Sequence, residues 1–197
     1  MTTIVDTNFD FRNDTPINKD PDIYNNTLKI YHKMLWSKLL PGGSEFTLEE
    51  KKYLYHKSQL GEFYLGSDAI THSYKNAKSL STIVGKIPDV AEILFNQGCK
   101  IAAYTIFPSK KINGKMTINQ ARGVNPKIKD RFDLTLECIR LFYEGEPNPL
   151  TDVFNRYDNF FSLFENFKGY VEFFLFQDLV GKDFSSIKFH LPFDGFS

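Results

Sequence analysis

The residue types that could do chemistry crowd into one stretch: Arg122, Asp130, Arg131, Asp133, Glu137, Arg140 and Glu144. Between Pro126 and Tyr143, residues Ile128, Phe132, Thr135, Ile139 and Phe142 recur at helical spacing, which predicts a helix over 126–143. On that helix Asp133 stacks under Glu137 and Glu137 under Arg140. Guanidinium groups beside carboxylates support two chemistries. Arg122, Arg131 and Arg140 can hold a phosphate, on a small molecule, a nucleotide or a nucleic acid. Asp133 or Glu137 can serve as general base beside those arginines. The plainer reading is an ion pair on a solvated face, where such pairs contribute little.

Arg122 lies in Asn119-Gln-Ala-Arg-Gly123, just ahead of the helix expected to open at Asn125-Pro126. An anion there would meet both the arginine fork and the free N–H groups of a helix start. The other reading is an arginine that ties its loop down by donating to carbonyls. No GxxxxGK[ST] and no GxGxxG occurs in the chain, so known phosphate-cradling loops are excluded.

Other reactive groups are scattered. His32, His56, His72 and His190 show no HxxxH or HExxH spacing. A metal site built from His56, Glu62, Asp68 and His72 would require convergence that spacing does not encode, and no metal is expected. Ser67 and His72 are not set on a GxSxG turn, so a serine hydrolase is a poor reading. Cys99 and Cys138 form neither a disulfide framework nor a CxxC pair, and Cys138 reads as a small core residue.

These groups must be positioned by a chain of 197 residues, long enough for a single domain with a sizeable core. Its 20 Phe and 10 Tyr argue against disorder, because each ring buries a large apolar area. Lysine plus arginine equals aspartate plus glutamate, at 24 each, so any basic surface is local. The N-terminus lacks the pattern of a secretory leader, and no apolar run is long enough to span a bilayer. A cytoplasmic protein with no membrane partner is the expectation.

Residues 1–25 are acidic and sparse in apolar groups, and Phe9 and Phe11 suggest an arm docked on the domain. A helix follows over 26–38, capped by Asn25 or Asn26 and carrying Leu28, Tyr31, Leu35 and the lone Trp36. Tyr53–Lys57 and Glu62–Gly66 read as strands joined near Gly61. Pro88–Asn96 reads as a helix, and residues 100–120 as a β-hairpin turning at Asn113-Gly114. Helices over 149–165 and 170–179, separated at Gly169, and a strand over 187–191 complete the order. The expected class is α+β: helices on a small, mostly antiparallel sheet, with a mainly helical C-terminal half.

Several stretches carry a resemblance. They are Phe9-Asp-Phe-Arg-Asn-Asp-Thr-Pro16, Tyr31-His-Lys-Met-Leu-Trp-Ser-Lys38, Leu60-Gly-Glu-Phe63, Ile118-Asn-Gln-Ala-Arg-Gly123, Asp130–Arg140 and Gly169–Val180. Together they resemble a bacterial family known only as a domain of unknown function. The resemblance implies no activity, substrate or cofactor. Two departures stand out: Leu39 occupies a position where the family pattern has Pro, and the pattern runs on past a segment like Phe189–Phe196 into a further helix, as if this chain were a shortened relative. Three functions remain in view: a phosphate or nucleic-acid binder using Arg122, Arg131 and Arg140; an enzyme using Asp133 or Glu137; and a protein-interaction module presenting its Phe-rich helices.

Overall fold

The computed structural model describes residues 4–70, 93 and 96–196. The fold is α+β. Two short helices, α1 (Pro21–Tyr24) and α2 (Asn26–Trp36), lead into a two-stranded antiparallel sheet of β1 (Lys38–Leu39) and β2 (Glu45–Phe46). A four-stranded antiparallel sheet follows in the order β3 (Glu49–Glu50), β4 (Leu54–Ser58), β5 (Gly61–Ala69) and β6 (Tyr104–Pro108). The C-terminal half is mainly helical: α3 (Ile118–Val124), α4 (Phe132–Tyr143), α5 (Thr151–Arg156), α6 (Asp158–Phe161) and α7 (Phe167–Phe173).

Local chemistry accounts for these elements. Asn25 accepts the Leu28 amide at 2.8 Å and so opens α2. β4 and β5 form a tight hairpin whose closing pair is Ser58 and Gly61, and Gly61 takes φ 145°, open only to glycine. The N-terminal segment is bonded and packed against the rest of the fold around Phe9 and Phe11. Phe11 N donates to Cys99 O and Ile101 N to Phe9 O, while the Phe9 and Phe11 rings meet Tyr31 and Tyr104 edge-on.

Five expectations are corrected. Residues 100–120 are not a hairpin: β6 pairs with β5, from Leu65–Pro108 to Ala69–Tyr104, and the Asn113-Gly114 turn leads into α3 through a Thr117–Gln120 capping box. The 126–143 helix opens only at Phe132, because Lys129 and Asp130 take φ of 52° and 58°, which no right-handed helix contains. The 149–165 helix is broken into α5, α6 and a single 3-10 turn at Ser162–Phe164. Gly169 does not separate helices. It lies within α7, where a Cβ would sit 2.2 Å from the Phe164 carbonyl oxygen and 2.8 Å from Pro41 Cγ, so glycine permits a close backbone approach. Ile187 contributes an isolated bridge to Val180 rather than a strand over 187–191. Most of the expected 88–96 helix falls outside the described residues.

The core is rich in aromatic rings. Phe154, Phe160, Phe161, Phe164, Tyr170 and Phe174 are fully buried and meet one another in edge and tilted pairs. Such pairs add about 0.5–1.5 kcal/mol each beyond the burial of area. The Phe-rich helical segments thus spend their rings on the interior. Helix α4 is buried on most sides, with Phe132, Leu136, Cys138 and Ile139 at or near zero exposure. Phe132 packs edge-on against Phe176 and lies under the Arg122 guanidinium. Phe132→Ala is expected to cost about 3–5 kcal/mol in urea unfolding, the range for a fully buried ring. A loss below about 1 kcal/mol would show that the ring's surroundings collapse around the gap.

Candidate functional site

The charged residues singled out from sequence divide into three separate groups. The first is buried. Arg122 is 1% exposed and sits in the last turn of α3, not in a loop ahead of a helix start. Its Nη1 donates to Asp68 Oδ1 at 2.7 Å and to Ala69 O at 3.0 Å. Its Nε donates to Thr135 Oγ1 at 3.1 Å and its Nη2 to Asp130 O at 3.3 Å. The Asp130 carboxylate adds a longer contact at 3.6 Å. The left-handed turn at 129–130 that delays α4 is what brings Asp130 back over α3, where its N–H also meets the Arg122 carbonyl.

The second group is Arg131 and Asp133 at the start of α4. Arg131 grips Asp133 with two bonds, at 3.0 and 2.6 Å, and the Asp133 carboxylate also accepts the His190 amide. Burial would raise the Asp133 carboxyl, but Arg131 and the His190 amide outweigh it and hold it below the usual range. The third group is Glu137, Arg140 and Glu144 on one face of α4, where Arg140 forks onto Glu137 and reaches Glu144 at 2.7 Å. Arg122 meets α4 through Thr135, which points away from the 133–137–140 stripe by helical geometry.

A cavity of about 320 Å³ lies beside the first group. Its wall includes Asp20 and Asp22 from the N-terminal segment, Ser67 and Asp68 from β5, Ser109 after β6, and Thr117, Asn119 and Gln120 from the start of α3. Asp68 is 4% exposed. One of its oxygens is held by Arg122, whereas Oδ2 has no hydrogen-bond partner. Thr105, directly opposite Asp68 in the β5–β6 register, also has an unpartnered buried hydroxyl. Burial pushes the Asp68 carboxyl up to about 6, and Asp130 adds to the rise while Arg122 opposes it. Asp22 is also raised, chiefly by burial, although the Ser67 amide donates to both its oxygens at 3.0 and 2.9 Å.

Ser67 is not an activated nucleophile. Trp36 Nε1 donates to His32 Nδ1 at 3.1 Å, and an indole N–H can only donate. The His32 proton is therefore on Nε2, which faces Ser67 Oγ at 2.8 Å and donates to it. His32 is fully enclosed and burial pushes its pKa down to about 3, so it stays neutral and orients Ser67. The described members of the other histidine-based arrangement are engaged separately. His56 packs at a tilt against Phe46 and bonds Thr47 O, Glu62 pairs with Lys57 at 3.1 Å, Asp68 is engaged by Arg122, and His72 is outside the described residues. Among the described residues no group of three or more His, Cys, Asp or Glu could hold a metal ion. Among them, too, no helix is long and apolar enough to cross a membrane.

With this geometry in hand, comparison with known families decides the affiliation. Residues 5–197 match the model described as Family of unknown function (DUF6994). The chain belongs to that family. No curated protein matches it, and no solved structure does. Family membership adds no ligand or reaction to the residues just described.

Sequence reasoning singled out Asp68 only as a metal ligand, and took Asp20 and Asp22 only as part of an acidic arm. The available signal was the placement of an aspartate in an otherwise aromatic and apolar strand, which demands a partner elsewhere.

Two outcomes follow from this geometry. Arg122→Ala leaves Asp68 buried without its cation, and stability is expected to fall by about 3–5 kcal/mol in chemical denaturation. A loss under 1 kcal/mol would mean that the cluster holds nothing together. His32 predicts a pH dependence. Folded, its pKa is about 3; unfolded, it is near the ordinary 6.5. The unfolded chain thus takes up the extra proton, and the His32 contribution, complete above 6.5, is lost as pH falls. The slope is about 1.4 kcal/mol per pH unit. Asp68, raised, acts in the opposite sense between about 6 and 3.8, so the comparison is between wild type and His32→Gln. The stability advantage of wild type over the variant should shrink steadily from pH 7 to pH 5. An advantage that is constant with pH would show that His32 titrates alike in both states.

Proposed function

We propose that this protein binds a small polar molecule in the cavity walled by Asp22, Ser67, Asp68, Ser109 and Asn119. The observation that carries the reading is the Asp68 oxygen left without a partner in a buried wall. An unbonded buried carboxylate oxygen is costly, on the order of 1–3 kcal/mol or more, and native folds keep few. A ligand that donates a hydrogen bond removes that cost. The volume of about 320 Å³ suits a small metabolite. A larger hollow of about 510 Å³ beside α4–α6 is less suited, since the tyrosine hydroxyl at its wall, Tyr143, already donates to Phe161 O.

The sequence pointed instead to an anion, a phosphate or nucleic acid, on Arg122, Arg131 and Arg140. The cavity reading is better supported, because all three guanidinium groups already donate to carboxylates of the same chain. For the same reason Asp133 and Glu137 are weak candidates for a general base: each has both oxygens engaged. If the cavity supports a reaction, Asp68 is the stronger base, with one oxygen fixed and one unbonded. An interaction module with a Phe-rich face has less support, since those rings fill the core.

The test is a thermal-shift screen of small polar metabolites on wild type and on Asn119→Trp. Asn119 is an exposed wall residue in the first turn of α3, so tryptophan there plugs the cavity with little cost to the fold. A compound that raises the wild-type melting temperature by several degrees and leaves the plugged variant unmoved supports the reading. Hits that shift both proteins equally, or a screen of all classes without a hit, would overturn it.

A further inference from the structure

The charges around Arg122 do not balance. Asp68 and Asp130 are both within salt-bridge distance of one guanidinium, at 2.7 and 3.6 Å, and the three side chains are 4%, 20% and 1% exposed. Two carboxylates against one cation leave one negative charge in a largely water-excluded place. The rest of the cavity wall deepens the imbalance: Asp20 and Asp22 add carboxylates, and Lys111 is the one basic residue of that wall. Lys111 is exposed and pairs with neither aspartate. Burial of unmatched charge is unfavourable, and the missing partner is a cation.

We infer that the ligand of this cavity carries a cationic nitrogen, an aliphatic ammonium or a guanidinium, that binds Asp68 Oδ2 and completes the charge set of Asp68, Arg122 and Asp130. This deepens the cavity reading above and rests on it. The atoms fit the chemistry. Ionised carboxylate oxygens only accept, whereas an ammonium offers three donors and no acceptor. Asp68 Oδ2 and the Thr105 hydroxyl are the two unpartnered atoms on directly opposed residues, and directly opposed residues of antiparallel strands place their side chains together. Both atoms are buried, so the group that reaches them is small. The remaining wall, with Ser109, Thr117, Asn119 and Gln120, has polar groups for the rest of such a molecule. A phosphate or carboxylate ligand would add to the excess negative charge and is disfavoured by the same arithmetic.

The experiment uses matched probes by titration calorimetry on the full chain: 1,4-diaminobutane and 4-guanidinobutylamine against 1,4-butanediol, which has the same chain length and no charge. Expected is binding of one or both cations at least tenfold tighter than the diol, lost in Asn119→Trp. Asp68→Asn should weaken the cation by at least tenfold. Should that variant fail to fold, Asp130→Asn serves in its place: Asn tolerates the left-handed φ of 58° at this position, and removing the surplus charge should weaken the cation while sparing any diol binding. Diol binding as tight as that of the cations, blocked by Asn119→Trp, would overturn the charge assignment and leave the cavity reading standing. Inorganic phosphate binding in preference to both would overturn the assignment also. Cation binding that survives both Asp68→Asn or Asp130→Asn and the plug would show attachment elsewhere and end the proposal.

Discussion

A single buried guanidinium organises this protein. Arg122 ties the last turn of α3 to β5 through Asp68 and Ala69, to α4 through Thr135, and to the connecting turn through Asp130. Without its side chain those elements would meet mainly through apolar surfaces, which are not directional and do not set register. The arginine fork does set it. Five N–H donors in a fixed plane meet acceptors from three parts of the chain, and the geometry admits little sliding. The left-handed residues Lys129 and Asp130 are maintained in this frame, since the Asp130 backbone both donates to and accepts from Arg122.

The cost of burying Arg122 explains much of its surroundings. A buried cation requires a carboxylate, and Asp68 provides one from the end of a strand whose other buried side chains include Phe63 and Leu65. That aspartate is also a wall residue of the cavity, and its second oxygen is buried without a hydrogen bond. The same sheet end receives Asp22 from the N-terminal segment, anchored by the Ser67 amide, and Ser67 is in turn oriented by the Trp36–His32 pair. Core, sheet and N-terminal segment thus converge on one polar spot because each supplies a group that the others leave unsatisfied. Elsewhere the core is a mixture of aromatic and aliphatic side chains, which makes this concentration of polar groups chemically distinct.

Much of the fold was legible in the residues. Asn25 before an amphipathic run marked α2, and the aromatic strands around Gly61 marked β4 and β5, because capping and alternation are local effects. The α+β class and the family affiliation could also be read, the latter through motifs spread over nearly the whole chain. Where reading failed, a longer-range contact had overruled a local signal. Asn125-Pro126 looks like a helix start, yet the Asp130–Arg122 backbone bond holds the segment in a left-handed turn until Phe132. Asn113-Gly114 looks like a hairpin turn, yet β5 offers β6 a longer partner than residues 112–118 could. Gly169 looks like a helix break, yet α7 needs it to approach Phe164 and Pro41.

The site divides along the same line. The sequence by itself determined which residues carry charge on α4 and that they lie within reach of one another, since i, i+3 and i, i+4 spacing suffices to pair Arg140 with Glu137 and Glu144. It determined as well that Arg122 had few ways to be satisfied. Only the tertiary structure decided that its partner is Asp68, 54 residues away, and that Asp22 and Asp68 share a wall. Charge pairing across that distance depends on strand register and on the turn at 129–130, and neither is written in any local pattern. Burial, likewise, is a property of the assembled chain: the same aspartate on a solvated strand would have water on both oxygens, and here one of them has nothing.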